Sequence, residues 1–424
     1  MAYGIIDSQI LKNIADAIRA KTGKTEMLFP NDMPAEIASI SGGGGATTEP
    51  YVVYGRDESG AVTTAKLYNF TEISTSMFRD NTTLTTIDLS GSPNITSIGD
   101  YAFSGCTALP SFTIPKTVTS LGKYAFNGCK ALTEIEIPSS VTTLGSYAFA
   151  SSGLNKIVIP DHITTLGSGG TFNKCTDLYS VTIGSGLTSI PSETFQGCTK
   201  LVEIYNRSSI TLTKGATANG YAAYYAINIY TPTSGESKLL ENDNYVFVAD
   251  ENNNYTMVLI RDKTIANLTF PASVTIDGVV IDAYAIGYGI RNSNTALKSV
   301  VIPDAATSIG AYAFYNCKSL TTVTIGNGVT SIGQSGLSSC SKLATVTIGS
   351  GVSFIYSGAL GSNSALTEVV FADTEGWYVS TSATATSGTT LTSANLSNAS
   401  TAATYLKTTY KSYYWFNTNL SIMY

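Results

Sequence analysis

"YAFSGC" at residues 101–106 returns as "YAFNGC" at 124–129, "YAFASS" at 147–152, "TFNKC" at 171–175, "TFQGC" at 194–198 and "YAFYNC" at 312–317. Phe103, Phe126, Phe149, Phe172 and Phe195 follow one another at steps of 23 residues, and Cys106/Cys129, Cys175/Cys198 and Cys317/Cys340 keep the same step. A fixed period of this size is the mark of a solenoid, in which a unit buries its apolar face only by stacking on its neighbours. Inside one unit, "LTEIEIP" (132–138) alternates apolar and polar residues, which predicts a short strand with Leu132, Ile135 and Ile137 inward. "VTTLG" (141–145) predicts a second short extended piece closed by a Gly turn. "YAFNGC" is too short to be a stable helix alone and is expected to make one helical or 3₁₀ turn with its Phe inside. The fold class that follows is a mainly β (α+β) repeat protein.

The repeats divide the 424 residues into six segments. Residues 1–41 have a helical pattern, with Asp7 or Ser8 as cap and Ile10, Leu11, Ile14 and Ile18 on one face. Residues 42–50 form a Gly-rich linker, since "SGGGG" lacks the Lys-Ser/Thr of a phosphate loop. A first array covers 51–210 with six Phe-marked coils, counting Phe78, and a Tyr-rich interruption covers 211–245. A second array covers 246–372, with Ile286, Phe314, Leu337 and Leu360 in the Phe slot. Residues 373–424 leave the period. There "TAATYLKTTYKSYYWF" is expected to contain a short helix and to cap the open end.

Charged residues make up 13% of the chain and the net charge is −6, so the basic footprint of a nucleic-acid binder is missing. No apolar run reaches the ~18 residues of a membrane span, and "MAYGIIDSQILKNIADAIRAK" lacks the basic start and apolar stretch of a secretory signal. His162 is the single histidine, so neither a histidine metal site nor a Ser–His–Asp triad has material to be built from. The six Cys lack the C-x₂₋₄-C spacing of zinc ligands, and Ser152 and Asn363 replace Cys without disturbing the period. A small, partly buried, reduced residue suits that slot, although neighbouring coils are close enough for disulfides. The carboxylate pairs Glu134/Glu136 and Asp250/Glu251 show no cleft around them, as glycosidase chemistry would need. These readings leave no catalytic residue, metal or cofactor.

What remains is a surface. The outward strand positions include Thr85, Thr86 and Asp88, then Ser111 and Thr113, then Thr133, Glu134 and Glu136. Next come Asn155 and Lys156, then Tyr179, Ser180 and Thr182, with a Thr-rich series from Lys298 to Glu368 in the second array. Stacked Thr suits a sheet for its own sake. As a recognition face, the residues of interest are Thr113, Glu134, Glu136, Lys156, Tyr179 and Thr182. The aromatic cluster Tyr413, Tyr414 and Trp415 offers either a ligand platform or cap packing.

The unit "L-x-x-V-x-I-P-x-x-V-T-x-I-G-x-Y-A-F-x-G-C" resembles the BspA-like bacterial leucine-rich repeat, over roughly residues 51–424. That resemblance implies adhesion and recognition at cell surfaces without catalysis. Separately, "ILKNIADAIRAKTGKTEMLFPNDMPAEIASI" (10–40) resembles a segment that heads tail and fibre proteins of phages and prophages of Gram-positive bacteria. Together the two resemblances imply a virion tail protein, docked through residues 1–41 to other tail proteins, whose repeats contact a host cell-surface protein or glycan. Homo-oligomerisation is a further route to cover the 10–18 stripe. A bacterial surface or secreted adhesin is the alternative, and a glycan-acting enzyme a remote one.

Overall fold

The computed structural model describes residues 50–232 and 237–419. The stripe Ile10, Leu11, Ile14 and Ile18 lies outside the described residues. The chain divides into two compact units, Met1–Pro232 and Thr233–Tyr424, each with its own apolar core.

In the first unit an antiparallel hairpin, Tyr51–Arg56 with Val62–Tyr68, opens the stack, and its second strand pairs in parallel with Thr86–Gly91. From there every coil contributes three sides. One is a narrow parallel wall of two-residue strands, Glu72–Ile73, Ser97–Ile98, Ser120–Leu121 and Thr143–Leu144, carried on by a bridge from Leu144 to Leu166. The Gly that closes the last three of these strands, Gly99, Gly122 and Gly145, is a steric requirement as well as a turn. A Cβ on Gly145 would stand 2.5 Å from the carbonyl carbon of Gly122 one coil back.

The second side is the "YAF" stretch. It forms neither the helical nor the 3₁₀ turn expected of it, but a run of turns in which successive amides point alternately along and across the stack. Tyr101, Phe103 and Gly105 donate to Lys123, Ala125 and Asn127 of the next coil at 2.8 Å each, while Ala102, Ser104 and Cys106 donate three residues back. That alternation needs left-handed backbone at Tyr101, Tyr124 and Tyr147 (φ 59°, 56° and 57°) and at Gly105 (77°). Tyrosine adopts φ > 0 only at a cost. Here the between-coil bonds and the stacking of the three rings, 4.8 and 5.0 Å apart, offset it. Inside, Phe78, Phe103, Phe126, Phe149, Phe172 and Phe195 stack face to face at 5.1–5.7 Å. Beside them each Cys thiol donates to a carbonyl one coil back, as Cys129 does to Phe103 O at 3.2 Å.

The third side is the broad wall, and there the first unit departs from expectation. Lys156–Ile159, Ser180–Ile183, Glu203–Asn206 and Asn228–Tyr230 form a regular parallel sheet. Residues 109–115 and 132–138, including the predicted strand "LTEIEIP", run between that sheet and Thr86–Gly91 without ladder pairing.

The second unit has both walls complete. One is a ten-stranded sheet that begins with the antiparallel strands Leu239–Glu241, Tyr245–Ala249 and Tyr255–Ile260 and continues in parallel from Tyr284–Ile286 to Phe354–Ile355. The other runs in parallel through Asn267–Thr269, Ser299–Ile302, Thr322–Ile325, Thr345–Ile348 and Glu368–Phe371. Its C-terminal end is covered by Ser393–Ser397, Ala399–Thr404 and a π-turn at Tyr405–Thr409, which bury Leu396, Ala402, Ala403 and Leu406. The helical stretch stops short of "YYWF". Tyr414–Asn417 is a strand, antiparallel to both Phe354–Ile355 and Trp377–Ser380, as suits a run of aromatic side chains.

Candidate recognition surface

The break in the broad wall of the first unit has a local cause. In the paired coils the residue that enters the wall donates its amide one coil back: Asn155 to Thr133 O, Tyr179 to Asn155 O, Val202 to Tyr179 O, Thr321 to Lys298 O and Ala344 to Thr321 O, at 2.8–3.1 Å. The residue in that slot of the 109–115 segment is Pro110, which has no amide hydrogen to give. Two residues on, the inward slot holds Ile135, Ile157, Val181 and Ile204 in the later coils, and Val300, Val323, Val346 and Val369 in the second unit. In this coil it holds Phe112. Its ring is tilted between Phe103 and Phe126, with centroids at 4.9 and 5.2 Å, and occupies space that the coils need to close up. A missing donor and an oversized side chain therefore act at the same rung.

A groove of about 800 Å³ results, over residues 111–116, 134–138 and 156–160. A second hollow of about 450 Å³ lies on the other side of the 110–115 segment, towards Thr86–Gly91. Phe112, Ile114 and Ile137 are buried and Ile135 is half-buried, whereas Val158 is 54% exposed.

Four of the residues singled out in the sequence converge on this groove: Thr113, Glu134, Glu136 and Lys156 all line it, the first three exposed and the last half-buried. The Lys156 ammonium lies over the Tyr179 ring, 5.6 Å from its centroid. Tyr179 itself is only 1% exposed, and its place among surface residues is corrected: its ring is part of the core. Thr182 is half-buried on Ser180–Ile183 and does not line the groove. The C-terminal aromatics belong to the second unit. Trp415 is 1% exposed, its ring stacked with Phe371 and in edge contact with Trp377. Tyr413 packs edge-on against Tyr410, and Tyr414 stacks with Phe354. Trp415 is therefore core, a correction to the platform reading, while Tyr413 and Tyr414 remain half-buried.

The other titratable and nucleophilic candidates have structural roles. All six cysteines are free and buried. Burial pushes the Cys106 thiol up to about 12 and Cys129 in the same direction, the opposite of a reactive thiolate. Asn363 explains what the Cys slot requires: its side-chain amide donates to Leu337 O at 2.8 Å, the bond a thiol makes elsewhere. The slot asks for a small donor. His162, exposed on a turn, has Nε2 2.9 Å from Val141 O. Asp250 accepts from the Asn254 side-chain amide and from the main-chain amides of Asn254 and Asn252 and so organises a hairpin turn, and these bonds, the side-chain one first, hold its acid below the usual carboxylate range. Among the described residues no group of His, Cys, Asp and Glu could hold a metal ion, and no helix is long and apolar enough to cross a membrane. The residues that shape the groove, Pro110 and Phe112, escaped the candidate set. Each is visible as the one departure from its repeat column.

No curated protein matches the chain. Among solved structures it is similar to a leucine-rich repeat protein from Bacteroides ovatus, with 19% identity, 76% of this chain and 87% of that chain covered, and a TM-score of 0.33. It is also similar to a leucine rich cell surface protein from Faecalibacterium prausnitzii, with 22% identity, 76% and 93% coverage and a TM-score of 0.32. A third likeness is to the pneumococcal vaccine antigen PcpA, with 17% identity, 76% and 66% coverage and a TM-score of 0.33. The family model described as the BspA type leucine rich repeat region matches residues 59–117, 96–219, 170–282 and 289–410. Those stretches take in most of the chain, and the chain belongs to the BspA-type leucine-rich-repeat family.

Proposed function

We propose that the chain is a non-catalytic recognition protein that acts outside the cell as a bacterial surface adhesin, and that the broad wall of its first unit meets the partner. The observation that carries this reading is the groove at 111–116, 134–138 and 156–160, which gathers exposed polar and charged side chains around accessible apolar ones. Family membership supports it. The enzymatic reading is disfavoured by the placement of the carboxylates: Glu134 and Glu136 stand two residues apart on one extended segment, not facing each other across a bound sugar. The partner is a cell-surface protein or glycan.

A second reading places the same recognition role on a phage or prophage tail, and it rests on residues 10–40 alone. In that case residues 1–41, with Ile10, Leu11, Ile14 and Ile18, dock to other tail proteins or to copies of the same chain. The test is binding of the labelled full-length protein to bacterial cells by flow cytometry. Binding that is saturable and falls on Glu134→Ala/Glu136→Ala supports the reading, and absence of saturable binding to any host surface removes it. Deleting residues 1–41 separates the two placements: loss of incorporation into particles with cell binding intact assigns the chain to a virion.

A further inference from the structure

The last coil of the second unit breaks its repeat at two outward positions of the ten-stranded sheet. Ser308 and Ser331 stand in register, and the next strand puts Phe354 in that row. Two residues on, the slot that closes the strand holds Gly310, then Gly333, then Tyr356. The Tyr356 amide donates to Ile332 O just as that of Gly333 does to Ile309 O. Ile309, Ile332 and Ile355, between the two rows, are buried, so both rows face outward. A Cβ on Gly310 or Gly333 would stand 2.6 Å from the main chain of the coil before. The fold therefore disfavours a side chain in this slot, and the core makes little use of the one that is there: Tyr356 is 40% exposed. A residue that breaks a local rule without a packing gain marks a functional position.

The cap strand adds a third ring. Its antiparallel pairing with Phe354–Ile355 brings Tyr414 opposite Tyr356, with ring centroids 6.2 Å apart. The Phe354 ring lies 4.5 Å from that of Tyr356 and 6.2 Å from that of Tyr414. Farther along the same row Phe416 and Tyr378 are buried, and the Tyr378 hydroxyl donates to Ala385 O. The open part is Phe354, Tyr356 and Tyr414. On the other side Gly310 and Gly333 raise no side chain in their row, and the parallel row offers half-buried Ser308 and Ser331. Those two hydroxyls and the phenols of Tyr356 and Tyr414 make no hydrogen bond among the described residues. Neither row carries a charged side chain.

We propose that Phe354, Tyr356 and Tyr414 form a platform for a neutral saccharide on the outer face of this sheet. A pyranose whose hydroxyls are equatorial presents a C–H face, and that face stacks on the exposed ring of Tyr356. Its hydroxyl edge reaches the phenols and the row of Ser331 and Ser308. Strands lie ~4.8 Å apart, so the row from Ser308 to Phe354 spans ~10 Å, about the length of a disaccharide. With no charge in either row, an acidic sugar or a charged peptide finds no counter-ion there. This surface goes beyond the groove of the first unit. It is a second contact, on the second unit, with a ligand class of its own.

The test uses the full chain on a printed array of short neutral oligosaccharides, with phosphatidylcholine vesicles as a separate probe. Isothermal titration then follows the array member that binds best. Tyr356→Gly gives this coil the residue of its neighbours, and a circular-dichroism melt checks that it folds. The expected result is binding of at least one neutral saccharide by the wild-type protein, weakened at least ~10-fold, or ~1.4 kcal/mol, by Tyr356→Gly. Tyr356→Trp, which keeps a ring in place, is expected to keep binding. Were Tyr356→Gly misfolded, Ser331→Glu, which blocks the serine row, decides in its place. No binding on the array, or equal binding by the wild-type protein and Tyr356→Gly, overturns the proposal. So does binding to the vesicles with none to the saccharides, because the rings then serve a bilayer. A wild-type dimer that dissociates in Tyr356→Gly overturns it too, because the rings then meet a second copy. Glu134→Ala/Glu136→Ala is expected to bind the saccharide as the wild-type protein does. A protein that binds cells through those glutamates but binds no saccharide loses this inference and keeps the recognition role.

Discussion

Truncating Phe172 to Ala should remove much of the first unit's stability, and the expected size follows from its surroundings. The ring is wholly buried, stacked between Phe149 and Phe195 at 5.7 and 5.4 Å, and its main-chain carbonyl accepts the Cys198 thiol. A buried Phe removes ~150–250 Å² from water, so at ~25 cal/mol per Å² the burial is worth about 4–6 kcal/mol. Alanine keeps part of that, and the remaining loss with its cavity comes to ~3–5 kcal/mol. The two stacking contacts place the substitution towards the upper end, since each aromatic pair adds ~0.5–1.5 kcal/mol. Phe172→Leu is the informative control, because Leu337 and Leu360 fill the same slot in the second unit, both fully buried. It should cost under ~1.5 kcal/mol. The assay is urea unfolding followed by intrinsic fluorescence and circular dichroism, with the two units treated as separate transitions. An unchanged first-unit midpoint in Phe172→Ala would refute the ladder as the source of stability. A Phe172→Leu loss equal to that of Ala would refute the shape argument.

Three further outcomes are expected. Thiol counting on the unfolded, non-reduced protein should return six free thiols, whereas native protein should react slowly with iodoacetamide at pH 8 because all six thiols are buried. Cys340→Asn should be tolerated better than Cys340→Ala, by about 1 kcal/mol in the second unit's unfolding, since Asn363 shows that an amide can make the thiol's bond to the coil before. Gly145→Ala should destabilise the first unit by ~1–3 kcal/mol, its Cβ meeting the Gly122 main chain.

Most of the solenoid is legible in the letters because a column must hold the same kind of side chain wherever coils stack. Phe103, Phe126 and Phe149 announce the core in this way, and the Ser152 and Asn363 exceptions announce that the Cys column is structural. Three features lie deeper. Tyr101, Tyr124 and Tyr147 sit in left-handed backbone that tyrosine does not favour, so only the between-coil bonds reveal that "YAF" is a run of turns. Residues 211–245 lack the period because they do two jobs: Asn228–Tyr230 adds a strand to the first unit, and Leu239–Glu241 begins a sheet of the second. The groove is hidden by the averaging that makes the repeat visible. A consensus of the coils smooths over Pro110 and Phe112, yet a Pro in a slot that must donate an amide is a direct physical contradiction of the strand the period predicts. Tyr179 and Trp415 were misplaced for the converse reason. The outward strand slots take in Tyr179 and the aromatic cluster offers Trp415 as a platform, while packing by Lys156 on one and by Phe371 and Trp377 on the other takes them into the core.

The account turns on one wall being paired in most coils and open in two. Hydrogen exchange of the full-length protein, read by mass spectrometry over overlapping peptides, measures that directly. The account predicts that amides 111–114 and 134–137 exchange near the rate of an unstructured chain, while those of Ser180–Ile183 and Thr322–Ile325 are protected by ~1,000-fold or more. Protection of 111–114 and 134–137 equal to that of Ser180–Ile183 would mean that the ladder is closed, and would contradict it.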